Sequence, residues 1–504
     1  MTSSRPSDTV PEPPTEPEPQ PATTTEPAPA GPVRFSERYV LALLATFATL
    51  LFGIAARLRL QFPPFGDEPH YLILNEAMLR YHTVDPTLAY AHGDYRSFYP
   101  ALLEEQLSKL PDGTPVPLHN AGGPLLWMPA YLAGGRGGVA AFLVVVSVLI
   151  VLNLYWLLRG LGIGRPYATI VTALFAIGSP IYVYSAMLFV ESIGTLIVLF
   201  AARQVLAPKR SPVRLIVASA GLGYLPFIHG RFVIFTLLVG ALLAVRVFAE
   251  TTWRAWRPYL YAIGPLVLIG GAVVVFNMVQ YGTPNPAPGN ANMGAGLLRV
   301  PPHQGLLSLL FDRYYGLLPY FPIFLLVFPG ILLSLRRGLA WVHVTILGIA
   351  VPYLVAVSTF NFWWGGFSPP ARFLTVVAPL LGYYVAVTLQ RLHAWWATAV
   401  AMLAAVAAYM VSLAGDIEPT ERFDSGAHGK VMLIDRVGHL LFGYPYVDRL
   451  LPSILHSGAN RAKFAACAAV VAVVTVAVWL IGRRRPAARI PVPELPRVPL
   501  RFWR

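Results

Sequence analysis

The chain has 504 residues, of which 56% are hydrophobic and only 12% charged, and its formal net charge is +14. So small a polar fraction cannot cover a water-soluble body of this size, which excludes a soluble enzyme and defines an integral membrane protein. The basic residues lie in short clusters beside apolar runs, the pattern of positive-inside loops, so nucleic acid is excluded as a partner. The single cysteine, Cys467, excludes an internal disulfide framework and a cysteine-based metal site.

Residues 1–35 are rich in Pro, Thr and Glu and read as a disordered cytoplasmic leader, not a cleavable signal. A membrane span needs roughly 20 mostly apolar residues. By that measure about twelve spans follow, near 39–58, 137–158, 166–187, 189–207, 213–229, 231–249, 259–280, 315–335, 340–359, 372–391, 394–413 and 463–482. They make residues 36–485 one all-α polytopic transmembrane domain, followed by a basic cytoplasmic tail, 486–504.

Charge decides the orientation. Arg34 and Arg38, Arg159 and Arg165, Arg203 to Arg214, Arg246 to Arg257, Arg336 and Arg337, Arg391 and Arg483 to Arg485 all fall on one side of a twelve-span chain. That side is the cytoplasm, and it holds both termini. Arg57 and Arg59 break the rule and are expected to snorkel at the outer end of the first span. The connections that face outward are 60–136, 281–314, 360–371 and 415–462, three of them long, and long connections are usually functional. In the first, a juxtamembrane helix is expected from Pro69 to about Tyr81, and the apolar piece Pro124 to Ala133, too short to span, lies in the interface or dips into it.

The first outer loop opens on Phe65-Gly66-Asp67-Glu68-Pro69-His70-Tyr71, two adjacent carboxylates just beyond an apolar span. A helix start explains part of this, with Asp67 as the cap and Pro69 in the first turn. Other polar residues gather at the same membrane face: Glu191, His229, Arg231, Asp312, Arg313, Trp363, Trp364 and Arg372. Each also has a structural reading. Glu191 complements a helix dipole, Asp312 and Arg313 pair at the interface, the tryptophans belong to an aromatic belt, and His229 is a hydrogen-bonded structural residue. Arg372, held by the rigid Ser368-Pro369-Pro370-Ala371 turn at a helix start, suits a phosphate.

Four stretches in order, GDEPHYLI, GDYRSFYP, LLFDRYYGLLPYFP and WWGGFSPPARFL, carry a resemblance to the GT-C superfamily of polytopic membrane glycosyltransferases, most closely to a bacterial subgroup of that kind. The resemblance covers most of residues 39 to 391. It implies a GT-C-like fold and transfer of a sugar from a polyprenyl-phosphate donor to an envelope glycan or lipid acceptor at the outer face of the plasma (inner) membrane. It also implies Asp67 as general base with Glu68 as supporting carboxylate, arginines such as Arg372, Arg313 and Arg231 on the donor phosphate, and Glu191 orienting Asp67 or touching the sugar. No cofactor beyond the lipid-linked donor is required. A divalent cation bridging Asp67 and the phosphate is compatible with the chemistry, but no His/Asp spacing specifies a metal. The competing expectation is a transporter or flippase of lipid-linked sugars, which calls for mid-span charges and two related halves.

Overall fold

The computed structural model describes residues 36–110, 112–251, 255–289, 300–335, 340–418, 439, 443, 450–455 and 460–484. The expected leader, the basic tail and most of the 415–462 connection lie outside the described residues.

The described residues are helical but for turns, loops and one two-stranded ribbon. The first span is α1, Glu37–Arg59, and the expected juxtamembrane helix is α2, Glu68–Arg80. Then come α3, Gly122–Gly160, α4, Arg165–Ile177, α5, Glu191–Leu206, α6, Pro212–Ile228, α7, Val233–Glu250, and α8, Trp256–Tyr281. After a short helix α9, Pro302–Phe311, follow α10, Val327–Leu335, α11, Trp341–Ser358, α12, Ala378–Leu392, α13, Trp395–Ile417, and α14, Arg461–Arg484. Every one of the twelve expected segments contains helix. Among the described residues seven helices are long and apolar enough to cross a membrane, and α4, α6 and 322–335 are shorter apolar helices. The protein is therefore an all-helical, multi-spanning membrane protein.

Small and branched apolar side chains set the packing. α1 lies against α3, α5 against α3, α6 and α7, α6 against α8, and α10 against α12 and α14. α12 is buried on nearly every face, as a helix apolar all round must be. α8 and α14 keep most of their apolar surface exposed, which in a membrane is the surface for lipid.

One expected piece gains detail, and two features differ from the sequence reading for physical reasons. The Pro124–Ala133 piece is helical and continues α3, with the break falling at Gly134 and Gly135, the latter at φ 54°. The first outer loop contains an antiparallel ribbon, β1 Leu107–Lys109 and β2 Pro115–Pro117, with Ser108 opposite Val116; three residues per strand are too few for a period-2 signal. Arg59 does not snorkel. Only 8% exposed, it donates through Nε to Asp416 Oδ1 at 2.6 Å, and Tyr182 Oη donates to Asp416 Oδ2 at 2.8 Å. A counter-charge from the end of α13 keeps the guanidinium inside, while Arg57 is exposed as expected.

Candidate functional site

The acidic pair sits where α1 has turned into α2. Gly66, at φ 58°, makes that turn in a conformation that glycine adopts without strain, and a Cβ there would strike the carbonyl oxygen of Phe367. The first outer loop and the 360–371 loop are thus pressed together at this point. Asp67 occupies the cap position of α2, yet its side chain makes no cap hydrogen bond. It turns instead to Arg372, whose Nη2 lies 2.5 Å from Asp67 Oδ2.

Arg372 is 5% exposed and holds three acceptors at once. Besides Asp67, its Nε donates to Glu191 Oε1 at 2.6 Å and its Nη1 to the Gly365 carbonyl at 2.8 Å, and the guanidinium stacks 4.5 Å over Phe189. The loop aims it by unusual backbone: Gly365 and Gly366 lie at φ 96° and 72°, and Ala371 at φ 59°, a region that residues with a side chain rarely enter. Tyr184 Oη anchors the loop by donating to the Pro369 carbonyl at 2.7 Å, and Ala371 N donates to the Tyr315 carbonyl at 3.0 Å. Arg372 does not begin a long helix. It lies in a single 3-10 turn, Arg372–Leu374, and α12 starts only at Ala378.

Glu191 opens α5 and is fully buried. Its Oε1 is shared by Arg372 and Arg231, and Arg231 also meets His229, Nη1 to Nε2, at 3.1 Å. Arg231 lies 4.5 Å over the ring of Phe373. The result is a continuous line of alternating charge, Asp67, Arg372, Glu191 and Arg231, ending on His229. Two carboxylates and two guanidiniums cancel, which is what lets so many ions lie in a dry place. Asp67 is its more open carboxylate, with 15% of its side chain accessible against none of Glu191.

Around this line lie buried polar atoms without a hydrogen-bond partner: Glu191 Oε2, Tyr71 Oη, Ser368 Oγ and Arg231 Nε. Unmet polar atoms gathered in one place mark where a polar ligand or water completes the bonding.

Electrostatics fix the charge states. Burial acts to raise the Asp67 carboxyl, but the charge and hydrogen bond of Arg372 outweigh it and hold the group below the ordinary carboxylate value. Burial pushes His70 down to about 3, and it lowers His119 as well, so both imidazoles beside Asp67 are neutral near pH 7. His229 is held well below its ordinary value by burial and by Arg231. These two imidazoles of the first loop went unnoticed in the sequence as site residues. His70 and His119 stack at 5.8 Å, His119 meets Tyr71 at 4.7 Å, His70 Nδ1 bonds Tyr90 Oη at 2.8 Å, and His119 Nε2 bonds Gln106 Oε1 at 2.6 Å. His70 stands inside GDEPHYLI, three residues after Asp67 and so on the same face of α2, which was the available signal.

The remaining expected residues have partners of their own. Glu68 is buried and accepts the backbone N–H of Phe65 at 3.0 Å and of Leu188 at 2.9 Å, tying α2 to the segment before α5. Asp312 and Arg313 bond within their own loop and to the 452–454 segment. Asp312 Oδ1 accepts the amides of Tyr314 and Tyr315 at 2.8 and 3.2 Å, and Arg313 N donates to the Pro452 carbonyl at 2.9 Å. Burial pushes Asp312 up to about 6, against the bonds from Ser453 and these amides. Trp363 is buried and Trp364 half-buried, edge-on to one another at 6.0 Å. Among the described residues no three His, Cys, Asp or Glu side chains converge as a metal ligand set, so a divalent cation bridging Asp67 and a phosphate finds no prepared ligands.

Fold and site together describe a multi-spanning membrane protein with a buried line of alternating charge at one end of its helices. No protein-family model matches the chain, and no curated protein is a significant match. Similar solved structures include ArnT from Cupriavidus metallidurans bound to undecaprenyl phosphate, at 15% identity and TM-score 0.49 over 89% of this chain and 78% of that one. The same protein in the apo state matches at 17% identity and TM-score 0.49 over 88% of this chain and 77% of that one. Likenesses of this strength carry no inference about chemistry, which rests on this chain's own side chains.

Proposed function

We propose that the protein is a membrane glycosyltransferase that moves a sugar from a polyprenyl-phosphate donor to a hydroxyl of an envelope glycan or lipid. The observation that supports this reading best is the Asp67–Arg372–Glu191–Arg231 line: an ionised carboxylate at one end, partly accessible and aimed by a buried arginine rather than spent on capping a helix.

Asp67 is the general base. It takes the proton of the acceptor hydroxyl as that oxygen bonds to the anomeric carbon, and the anomeric C–O bond to phosphate breaks with its electron pair on the leaving polyprenyl phosphate. A phosphate leaves without being protonated, so the chemistry asks for fixed cations, not an acid. Arg372 and Arg231 supply them, and each guanidinium retains N–H groups beyond those already bonded. The neutral His70 and His119 bound the space beside Asp67 without competing for its charge. Glu191 holds both arginines in register, and Glu68, with both oxygens on backbone amides, is a positioning residue. Attack from the face opposite the leaving group inverts the anomeric centre, by analogy with inverting glycosidases.

The basic ends of the helices support an outward-facing site. Arg159 and Arg165 meet Glu37 at 2.8 and 3.1 Å at the start of α1, and Arg210 and Arg246 both meet Glu250 at the end of α7. Asp67 follows the opposite end of α1, roughly 34 Å away along a 23-residue helix. With the basic end in the cytoplasm, the site faces outward.

The test is transfer by the purified protein in lipid, from a panel of radiolabelled polyprenyl-phosphate sugars to a membrane-glycan extract, comparing wild type with Asp67→Asn. Transfer that is lost in the variant while donor binding persists supports the proposal. No transfer from any donor, or a fully active variant, sinks it and favours a transporter of lipid-linked sugars.

A further inference from the structure

At the other end of the bundle α3, α5 and α6 enclose a groove of about 710 Å³ that the reaction above does not use. Three helical stripes converge on it: Leu149, Asn153 and Trp156 from α3, Leu196 to Arg203 from α5, and Arg214 to Gly221 from α6. Its walls are apolar except at one end, where Arg203 and Arg214 both line it.

Ordinary positive-inside arginines reach freely into water. Arg203 does not: its Nη1 donates to Asn153 Oδ1 inside the groove, and its guanidinium lies 5.1 Å over the ring of Trp156. Arg214 stands exposed in the first turn of α6, where the helix dipole disfavours a cation, so it gains nothing from its own helix. Among the described residues neither arginine forms an ion pair, although Arg210, between them in sequence, and Arg246 both pair with Glu250. The groove therefore joins two uncompensated guanidiniums to an apolar trough. Leu196 and Gly221 lie seven residues from Arg203 and Arg214, so the trough extends roughly 10 Å along the helices from the charges.

We propose that this groove binds one anionic membrane phospholipid, its phosphate between Arg203 and Arg214 and its acyl chain along Ile197, Phe200 and Gly221. Charge complementarity selects the headgroup, and the apolar trough selects a lipid over a soluble phosphate. The position is distinct from the reaction site: Arg203 lies twelve residues from Glu191 on the same helix, about 18 Å along its axis.

Native mass spectrometry of the full chain in detergent, titrated with phosphatidylglycerol, phosphatidylcholine of the same chains, or inorganic phosphate, tests this. We expect phosphatidylglycerol to be retained at least about tenfold more tightly than phosphatidylcholine, the effect of one charge-assisted contact, and inorganic phosphate not to displace it. Arg203→Gln with Arg214→Gln should abolish the preference. Should that variant fail to fold, Gly221→Leu, which fills the trough and leaves both charges, should weaken retention of both lipids. Equal retention of the two lipids, displacement by inorganic phosphate, a preference that survives the double variant, or retention unchanged by Gly221→Leu overturns the proposal. Asp67→Asn should leave lipid retention unchanged, so this reading and the proposed transfer chemistry fail separately.

Discussion

Arg372 reaches Asp67 through Nη2 at 2.5 Å and Glu191 through Nε at 2.6 Å, so one buried guanidinium stands between the open carboxylate and the dry one. Substitutions on either side of it should not be equivalent. Asp67 has solvent on one side to take up a change of charge, whereas Glu191 has only Arg372 and Arg231.

Arg372→Lys keeps the charge and loses the fork. A lysine ammonium cannot serve Asp67, Glu191 and the Gly365 carbonyl in one plane. Transfer should fall at least about 100-fold, the scale of losing a positioned general base, while the protein still purifies as a monodisperse species. Arg372→Gln leaves two carboxylates facing an uncharged group, and breaking a buried pair in this way costs about 3–5 kcal/mol. That variant should melt well below wild type in detergent. Equal melting temperatures for the two variants would show that the charge line does not hold the fold.

Asp67 and Glu68 are neighbours with opposite expectations. Asp67→Asn should leave stability near wild type and remove transfer by about 10²–10⁴-fold. Glu68→Gln removes a charged acceptor from the amides of Phe65 and Leu188. It should cost about 1.5–3 kcal/mol in stability and reduce transfer only as the folded fraction falls. The measurements are turnover corrected for active protein and melting temperature, taken on both variants.

How much of this was legible beforehand depends on range in sequence. Helices and their apolar faces are written in local composition, and each expected span contains one. The membership of Asp67, Glu191, His229, Arg231 and Arg372 in a single cluster followed from topology, since all lie at the same membrane face. What composition cannot write is the partner. Arg59 looked like a snorkelling residue because Asp416, its counter-ion, stands at the end of a helix 357 positions later. Asp67 looked like a cap because its true acceptor geometry is decided by the backbone of Gly365, Gly366 and Ala371. Asp312 and Arg313 were placed with the site by proximity in the topology, and composition could not show that the carboxylate bonds the amides of its own loop.

The Arg59–Asp416 pair is itself testable. Both groups are almost wholly buried, at 9% and 0% side-chain exposure. Asp416→Asn should cost about 3–5 kcal/mol by leaving the guanidinium uncompensated, whereas Arg59→Met combined with Asp416→Leu should return much of that loss. Melting temperatures of the single and double variants measure the coupling. A double variant as unstable as the sum of the singles would mean that the two residues act independently.

Acid should weaken the protein well before Asp67 titrates. His70 is neutral in the folded chain, with its pKa pushed by burial from an ordinary 6.5 to about 3, and His119 is lowered in the same direction. Between those values the unfolded chain binds protons that the folded chain does not, so stability rises with pH across the window and is lost as pH falls through it. Asp67, with its pKa depressed by Arg372, contributes stability that is present above its ordinary value of 3.8 and lost only below it, outside this window. The melting temperature should therefore drop from pH 7 to pH 5, less steeply below about pH 6, where the Asp312 carboxyl, raised to about 6, takes up a proton in the folded chain and opposes the loss. His70→Gln, which removes one titrating group and keeps a polar side chain near Tyr90, should make that slope shallower. Transfer by wild type should decline over the same range in step with unfolding, because Asp67 stays ionised throughout. A slope unchanged by His70→Gln would show that the imidazole does not stay neutral in the fold, and with it would go the picture of an uncharged wall beside the catalytic carboxylate.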